Sequence, residues 1–258
     1  MPKPFRVLIC RELPAPGEAL VSEIAEVEVW REDHPIPRDL LLQKVADKDG
    51  VITLLTDKVD EELLSRAPNL KVVSNYAVGF DNVDMNAAKT HRVAVTNTPD
   101  VLTETTADLA WALLIAAARR IAESDRFIRD GMFVGWKPKL LMGVDVYGKT
   151  LGVVGLGRIG YAVARRAKGF NMRVLYYDAM GPFPDREKEL GLEFQDLPVL
   201  LKECDFISIH APLMAETRHM IGEQELRSMK PTAVLVNAAR GPLVDERALV
   251  RALKEHWI

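Results

Sequence analysis

The stretch 150-TLGVVGLGRIGYAVARRAKGF-170 decides how the rest of the chain is read. An apolar strand leads into it and a helix leads out, with Gly155, Gly157 and Gly160 between them in G-x-G-x-x-G spacing. That spacing is a weak signal in isolation. In this context each glycine has a reason: Gly155 makes the tight turn, Gly157 lets backbone approach a pyrophosphate, and Gly160 permits close helix–sheet packing. Arg158 and Ile159 open the helix, whose N-terminus faces the anion. The next strand ends at Asp178, 18 residues past Gly160, where a carboxylate can take the adenosine ribose hydroxyls. The same charge repels a 2′-phosphate. Two unit charges about 4 Å apart at an effective dielectric of 20 interact by about 4 kcal/mol before compensation, so NAD is favoured over NADP. Arg186 and Lys188, close behind, could blunt that preference.

Working outward, short β-rich runs alternate with helix-compatible segments on both sides. On the N-terminal side FRVLIC, VEVW, GVITLL and KVVSNYAV are separated by PGEALVSEIA, PRDLLLQKVA and DEELLSRA. On the C-terminal side TLGVVGLG is followed by MRVLYYD, DFISIHA and TAVLVNAA. Continuous apolar strands alternating with helices imply α/β structure with parallel sheets covered on both faces. The rhythm breaks once, at TETTADLAWALLIAAARRIAESDRFIRDG, which reads as one helix with a Thr/Glu capping signature at Thr103 and a stop at Gly131. Its middle is apolar nearly all round, so burial on more than one side is expected. The sequence therefore predicts two doubly wound domains, 1–99 and 100–258.

Composition narrows the function classes. Hydrophobic residues make up 48% and charged residues 28%, an ordinary globular balance, and a net charge of −3 with mixed signs offers no basic stripe for nucleic acid or membrane. The expected partner is a small molecule. Cys10 and Cys204 are the only cysteines, which suggests neither a disulfide framework nor a metal cluster and fits a reducing cytoplasm. No G-x-S-x-G elbow, P-loop or H-E-x-x-H is present.

Five segments in order, NYAVGFDNVD, TPDVLTETTADLAWALL, GKTLGVVGLGRIG, HAPLMAET and LVNAARGPLVDE, make the chain resemble the D-2-hydroxyacid dehydrogenases. WKPKLLMG and RRAKGFNMRVLYYD bring it nearest to the glyoxylate/hydroxypyruvate reductases among them. The resemblance covers essentially the whole chain. It implies a flavodoxin-like substrate domain followed by a Rossmann NAD-binding domain that is incomplete at its C-terminal end. It also implies a twofold dimer built on the long helix and the Trp136 loop. By motif, Val78 and Gly79 give backbone N–H groups to the substrate carboxylate and Leu54 lines the same pocket. Thr106 touches the cofactor near its nicotinamide end. His210, Pro212 and Thr217 lie beside the adenine and pyrophosphate, and Ala238 and Ala239 beside the nicotinamide. Arg240 matches the catalytic arginine, and the chemistry suits it: a planar guanidinium grips a 2-oxo acid bidentately and polarises the carbonyl.

Hydride addition also needs a proton donor, normally a histidine tuned by a carboxylate. The resemblance implies a Glu and then a His a few dozen residues past Arg240, where only 18 residues follow. None of the five histidines matches that position; His256 is the nearest stand-in. The expectation is a shortened chain that binds cofactor and reduces glyoxylate barely above background. The alternative is a non-catalytic NAD(H)-binding protein like the corepressors that share this fold.

Overall fold

The computed structural model describes residues 3–258, which divide into two compact units between Val101 and Leu102. In the first unit the strands are β1 (Phe5–Ile9), β2 (Ala25–Val29), β3 (Gly50–Thr53), β4 (Val72–Asn75) and β5 (Ala94–Thr96). They lie in the order β2-β1-β3-β4-β5 with every pairing parallel. This is the flavodoxin-like order, and its switch point falls between β1 and β3. Leu8, Val51, Val73, Leu63 and Leu64 are among the residues that fill its core.

The second unit holds β6 (Thr150–Val154), β7 (Arg173–Tyr177), β8 (Leu192–Phe194), β9 (Phe206–Ile209) and β10 (Val234–Asn237). Their order is β10-β9-β6-β7-β8, again all parallel, which reproduces five neighbouring positions of the Rossmann order. Here the switch point lies between β6 and β9. The short strand β8 went unread in the sequence, because only Leu192 of its three residues is buried and no apolar run marks it.

The segment read as one long helix is two. Thr103–Ala118 is helical, Arg120 takes a left-handed conformation at φ 54°, and a second helix runs Ile121–Arg129. Arg120 is held there by a two-toothed grip on Glu123 at 2.7 and 2.8 Å. Gly131, at φ +69°, follows the second helix as the stop the sequence suggested. Thr103 does not cap: the N-cap position is Leu102, without a side-chain bond. Nor is the first helix buried on more than one side within this chain. Ala107, Ala110, Trp111, Leu114 and Ala118 form its buried face, whereas Leu109 is 54% and Leu113 44% exposed. Trp111 anchors that face, stacked on Phe170 at 4.8 Å and donating its indole N–H to the Val163 carbonyl at 3.0 Å.

Candidate cofactor and substrate sites

In the second unit the glycine loop is shaped by backbone crowding. Gly155 has φ +92°, and a Cβ there would sit 2.7 Å from the nitrogen of Ala211, two residues past the end of β9. At Gly160 a Cβ would fall 2.0 Å from the Gly155 carbonyl oxygen. Gly157 is different: it is exposed, it forms the N-cap of the helix Arg158–Ala167, and nothing lies within 4 Å of its absent Cβ. Two glycines are thus required by the fold, and the third leaves open backbone at a helix N-terminus, a fit for a pyrophosphate.

Asp178 fixes this loop from the end of β7. One carboxylate oxygen accepts the Leu156 N–H at 2.8 Å and the other the Met180 N–H at 2.9 Å. Arg186, which the sequence offered only as a possible counter-charge, donates to the Leu156 carbonyl and lies over the rings of Tyr161 and Phe183 at 5.3 and 5.0 Å. Leu156 is therefore clamped at both its N–H and its C=O. Lys188 is exposed on the helix Pro184–Leu190.

After β9, Thr217 ties its loop together, donating to the Pro212 carbonyl at 2.7 Å and accepting the Met214 N–H at 2.8 Å. His210 pairs through Nε2 with the Ser208 hydroxyl at 2.8 Å, and burial pushes its pKa down to about 4. It is neutral at pH 7, so it lacks the imidazolium proton that a hydride-accepting carbonyl calls for. After β10, Asn237 folds the turn by accepting the Ala239 N–H at 3.1 Å and donating to the Arg240 carbonyl at 2.8 Å. Ala238, Ala239 and Arg240 are all half-buried, and Arg240 also donates to the Ala239 carbonyl at 3.0 Å. Thr106 and Ile159 are half-buried on their helices, while Arg158 is exposed. His256 stands exposed past the helix Glu246–Lys254.

In the first unit Leu54, Val78 and Gly79 follow β3 and β4, neighbours in the sheet, and all three are half-buried. The carbonyls around the Val78–Gly79 turn are each occupied. Ala77 C=O accepts the Thr98 N–H at 2.9 Å, Val78 C=O accepts Asn97 Nδ2 at 2.8 Å, and Gly79 C=O accepts Asn75 Nδ2 at 2.8 Å. The Val78 and Gly79 N–H groups have no acceptor among the described residues. Asp57, 3% exposed, takes the Leu54 N–H at 2.8 Å. Burial pushes the Asp57 carboxyl up, opposed by that N–H, by the Arg11 charge and by the Cys10 thiol. None of Asn75, Asn82, Asn97 and Asp57 was singled out from the sequence. The asparagines in NYAVGFDNVD and VTNT were the available signal, since buried amides next to a turn have partners to find.

Among the described residues no group of three or more His, Cys, Asp or Glu is placed to hold a metal ion, and no helix is long and apolar enough to cross a membrane.

A family model described as D-isomer specific 2-hydroxyacid dehydrogenase, NAD binding domain, matches residues 111–258. A glyoxylate reductase of Korarchaeum cryptofilum is 53% identical over 254 residues, which is 98% of this chain and 76% of the relative. The crystal structure of a Thermus thermophilus protein superposes with a TM-score of 0.90 at 47% identity, covering 96% of this chain and 78% of that one. A D-lactate dehydrogenase from Aquifex aeolicus, complexed with NAD and lactic acid, gives a TM-score of 0.85 at 31% identity over 98% of this chain and 74% of that one.

Proposed function

The chain belongs to the D-isomer specific 2-hydroxyacid dehydrogenases, and from that premise we propose that it reduces glyoxylate or hydroxypyruvate to the corresponding D-2-hydroxy acid, using NADH in preference to NADPH. The observation that carries the substrate half is the pair of N–H groups at Val78 and Gly79, left without acceptors while every carbonyl beside them is engaged. Adjacent unpaired N–H groups suit a carboxylate, and the net result is a cradle that recognises an acid whatever the rest of the substrate. Leu54 flanks it with an apolar side chain, which favours a small substituent.

Arg240 supplies a permanent charge to polarise the carbonyl that is reduced. Ala238 and Ala239 present backbone to the nicotinamide, and Thr106, His210, Pro212 and Thr217 border the remaining length of the dinucleotide. Gly155, Gly157, Arg158, Ile159 and Gly160 receive the pyrophosphate, and Asp178 receives the adenosine ribose. When bound, the reduced nicotinamide supplies the hydride. Both oxygens of Asp178 already accept an N–H, but each retains a lone pair for a ribose hydroxyl. A 2′-phosphate would meet that carboxylate directly.

The exposed apolar side chains Leu109, Leu113, Ile121 and Trp136 are the surface through which the protein forms a homodimer in this reading. Buried, unpaired Cys10 and Cys204 fit a cytoplasmic location. The test is nicotinamide absorbance with glyoxylate, hydroxypyruvate and pyruvate. Turnover of the first two with NADH, reduced about 10³-fold or more in Arg240→Ala, is expected. NADH binding with no turnover of any 2-oxo acid would instead mark a nucleotide-sensing protein.

A further inference from the structure

Beneath the unpaired N–H groups lies a polar framework that spans three chain segments. Asn75, the last residue of β4, is fully buried, and both the nitrogen and the oxygen of its amide are engaged. It donates to the Gly79 carbonyl at 2.8 Å, exchanges contacts with the Asn82 amide at 3.1 Å, and accepts the Thr53 hydroxyl at 3.0 Å. Asn82 Nδ2 in turn donates to the Leu54 carbonyl at 3.0 Å and the Asp57 carbonyl at 2.9 Å. On the opposite side Asn97 holds the Val78 carbonyl.

The direction of the free N–H groups follows from these bonds. A trans peptide points its C=O and N–H in opposite directions, and the only cis bonds among the described residues are Ala15–Pro16 and Gly181–Pro182. Thr98 holds the Ala77 carbonyl and Asn97 the Val78 carbonyl, so both belong to the segment that follows β5. The N–H groups of Val78 and Gly79 therefore both point away from that segment. Because β4 lies between β5 and β3, they point to the side where Leu54 follows β3. Two donors from consecutive residues are aimed one way, at the position where Asn82 and Asp57 pin Leu54 by its C=O and N–H.

We infer that Asn75, Asn82 and Asn97 are positioning residues that set the aim and spacing of the substrate-carboxylate cradle. This rests on the reading of Val78 and Gly79 as the carboxylate site. A purely structural role would make these amides matter to stability alone. A positioning role makes them matter to anion affinity with the cofactor site untouched, since all of them lie in the first unit.

The experiment measures inhibition by oxalate, a non-reducible dicarboxylate, together with NADH affinity and thermal melting. The variants are Asn97→Asp, which keeps the shape but sets an oxygen against the Val78 carbonyl, and Asn82→Ala. Hydrogen bonds to a charged group are worth about 1.5–3 kcal/mol, so the oxalate inhibition constant and the KM for glyoxylate should rise about 10- to 100-fold in Asn97→Asp. The NADH dissociation constant should stay within about twofold. Asn82→Ala should raise the same constants less, because the Asn75 bond to Gly79 remains. Restoring a donor at position 97 with Asn97→Gln should recover part of the loss. Folded variants with unchanged oxalate inhibition would overturn the inference while leaving the carboxylate site standing. If wild type itself neither binds oxalate nor reduces glyoxylate, the site assignment fails first. If Asn97→Asp does not fold, Asn82→Ala alone decides between the two.

Discussion

The molecule carries two loops that present bare backbone N–H groups, one after β6 and one after β4, and they are built by different means. The loop after β6 is shaped by what is missing: Gly155 and Gly160 stand where a Cβ would collide with backbone, and Gly157 leaves the mouth open. The loop after β4 is shaped by what is present: the Asn75 and Asn97 amides occupy its Gly79 and Val78 carbonyls, Asn82 ties in the loop after β3, and the Val78 and Gly79 N–H groups are left over. A glycine loop depends on local conformation, so single additions break it. An amide-framed loop depends on partners up to 28 residues away, so its failures should be graded.

The largest effect should come from Gly160→Ala. The new Cβ would lie 2.0 Å from the Gly155 carbonyl oxygen, a backbone atom that cannot turn aside. Overpacking of this kind costs about 3 kcal/mol or more, and NADH binding should be lost with it. Thermal melting and NADH fluorescence check both. A variant that melts like wild type would show that the loop has slack the comparison denies it.

Gly157→Ala sharpens the point. Its Cβ meets nothing, so stability should fall by less than about 1 kcal/mol, the ordinary cost of alanine at an N-cap. NADH affinity should nevertheless drop about 10-fold or more, because the methyl group occupies the ligand's approach. A loss of stability matching the loss of affinity would place Gly157 with the other two glycines.

That contrast also explains what the sequence discloses. G-x-G-x-x-G followed by Asp178 is legible because each residue acts within one strand–turn–helix unit. Apart from β8, the strands of the second sheet were legible for the same reason, since apolar runs and their spacing are local. The Asn75–Asn82 framework was not, because its meaning depends on which carbonyls come within reach after β3, β4 and β5 align. Arg186 hid similarly: nothing about a charged residue in PFPDREKEL says it will reach the Leu156 carbonyl. The break at Arg120 escaped because the residues on either side of it favour helix, and a left-handed arginine held by Glu123 has no marker such as glycine.

Smaller effects test the borders of the second unit. His210 has its pKa lowered from an ordinary 6.5 to about 4, so the folded state binds fewer protons than the unfolded chain. Its contribution is complete above pH 6.5 and is lost as pH falls from there to about 4, by at most about 3 kcal/mol. Melting of His210→Gln should be flatter than wild type across that window. In the first unit the sign is the ordinary acid one. Burial raises the Asp60 carboxyl but is outweighed by Lys58, Arg38 and the Leu63 N–H, which together bring it down to about 2. The stability it contributes above about pH 4 is lost as pH falls toward 2. Thr217→Ala should cost only about 1 kcal/mol, the value of one cap-like side chain tying a loop, with NADH affinity falling in step.

Backbone amide shifts recorded by NMR during two titrations test the account most directly. NADH should move the N–H signals of Gly157, Arg158 and Ile159, and oxalate added afterwards should move those of Val78 and Gly79. Oxalate shifts that leave Val78 and Gly79 still, or NADH shifts that miss the loop after β6, would contradict the assignment of the two loops to two different anions.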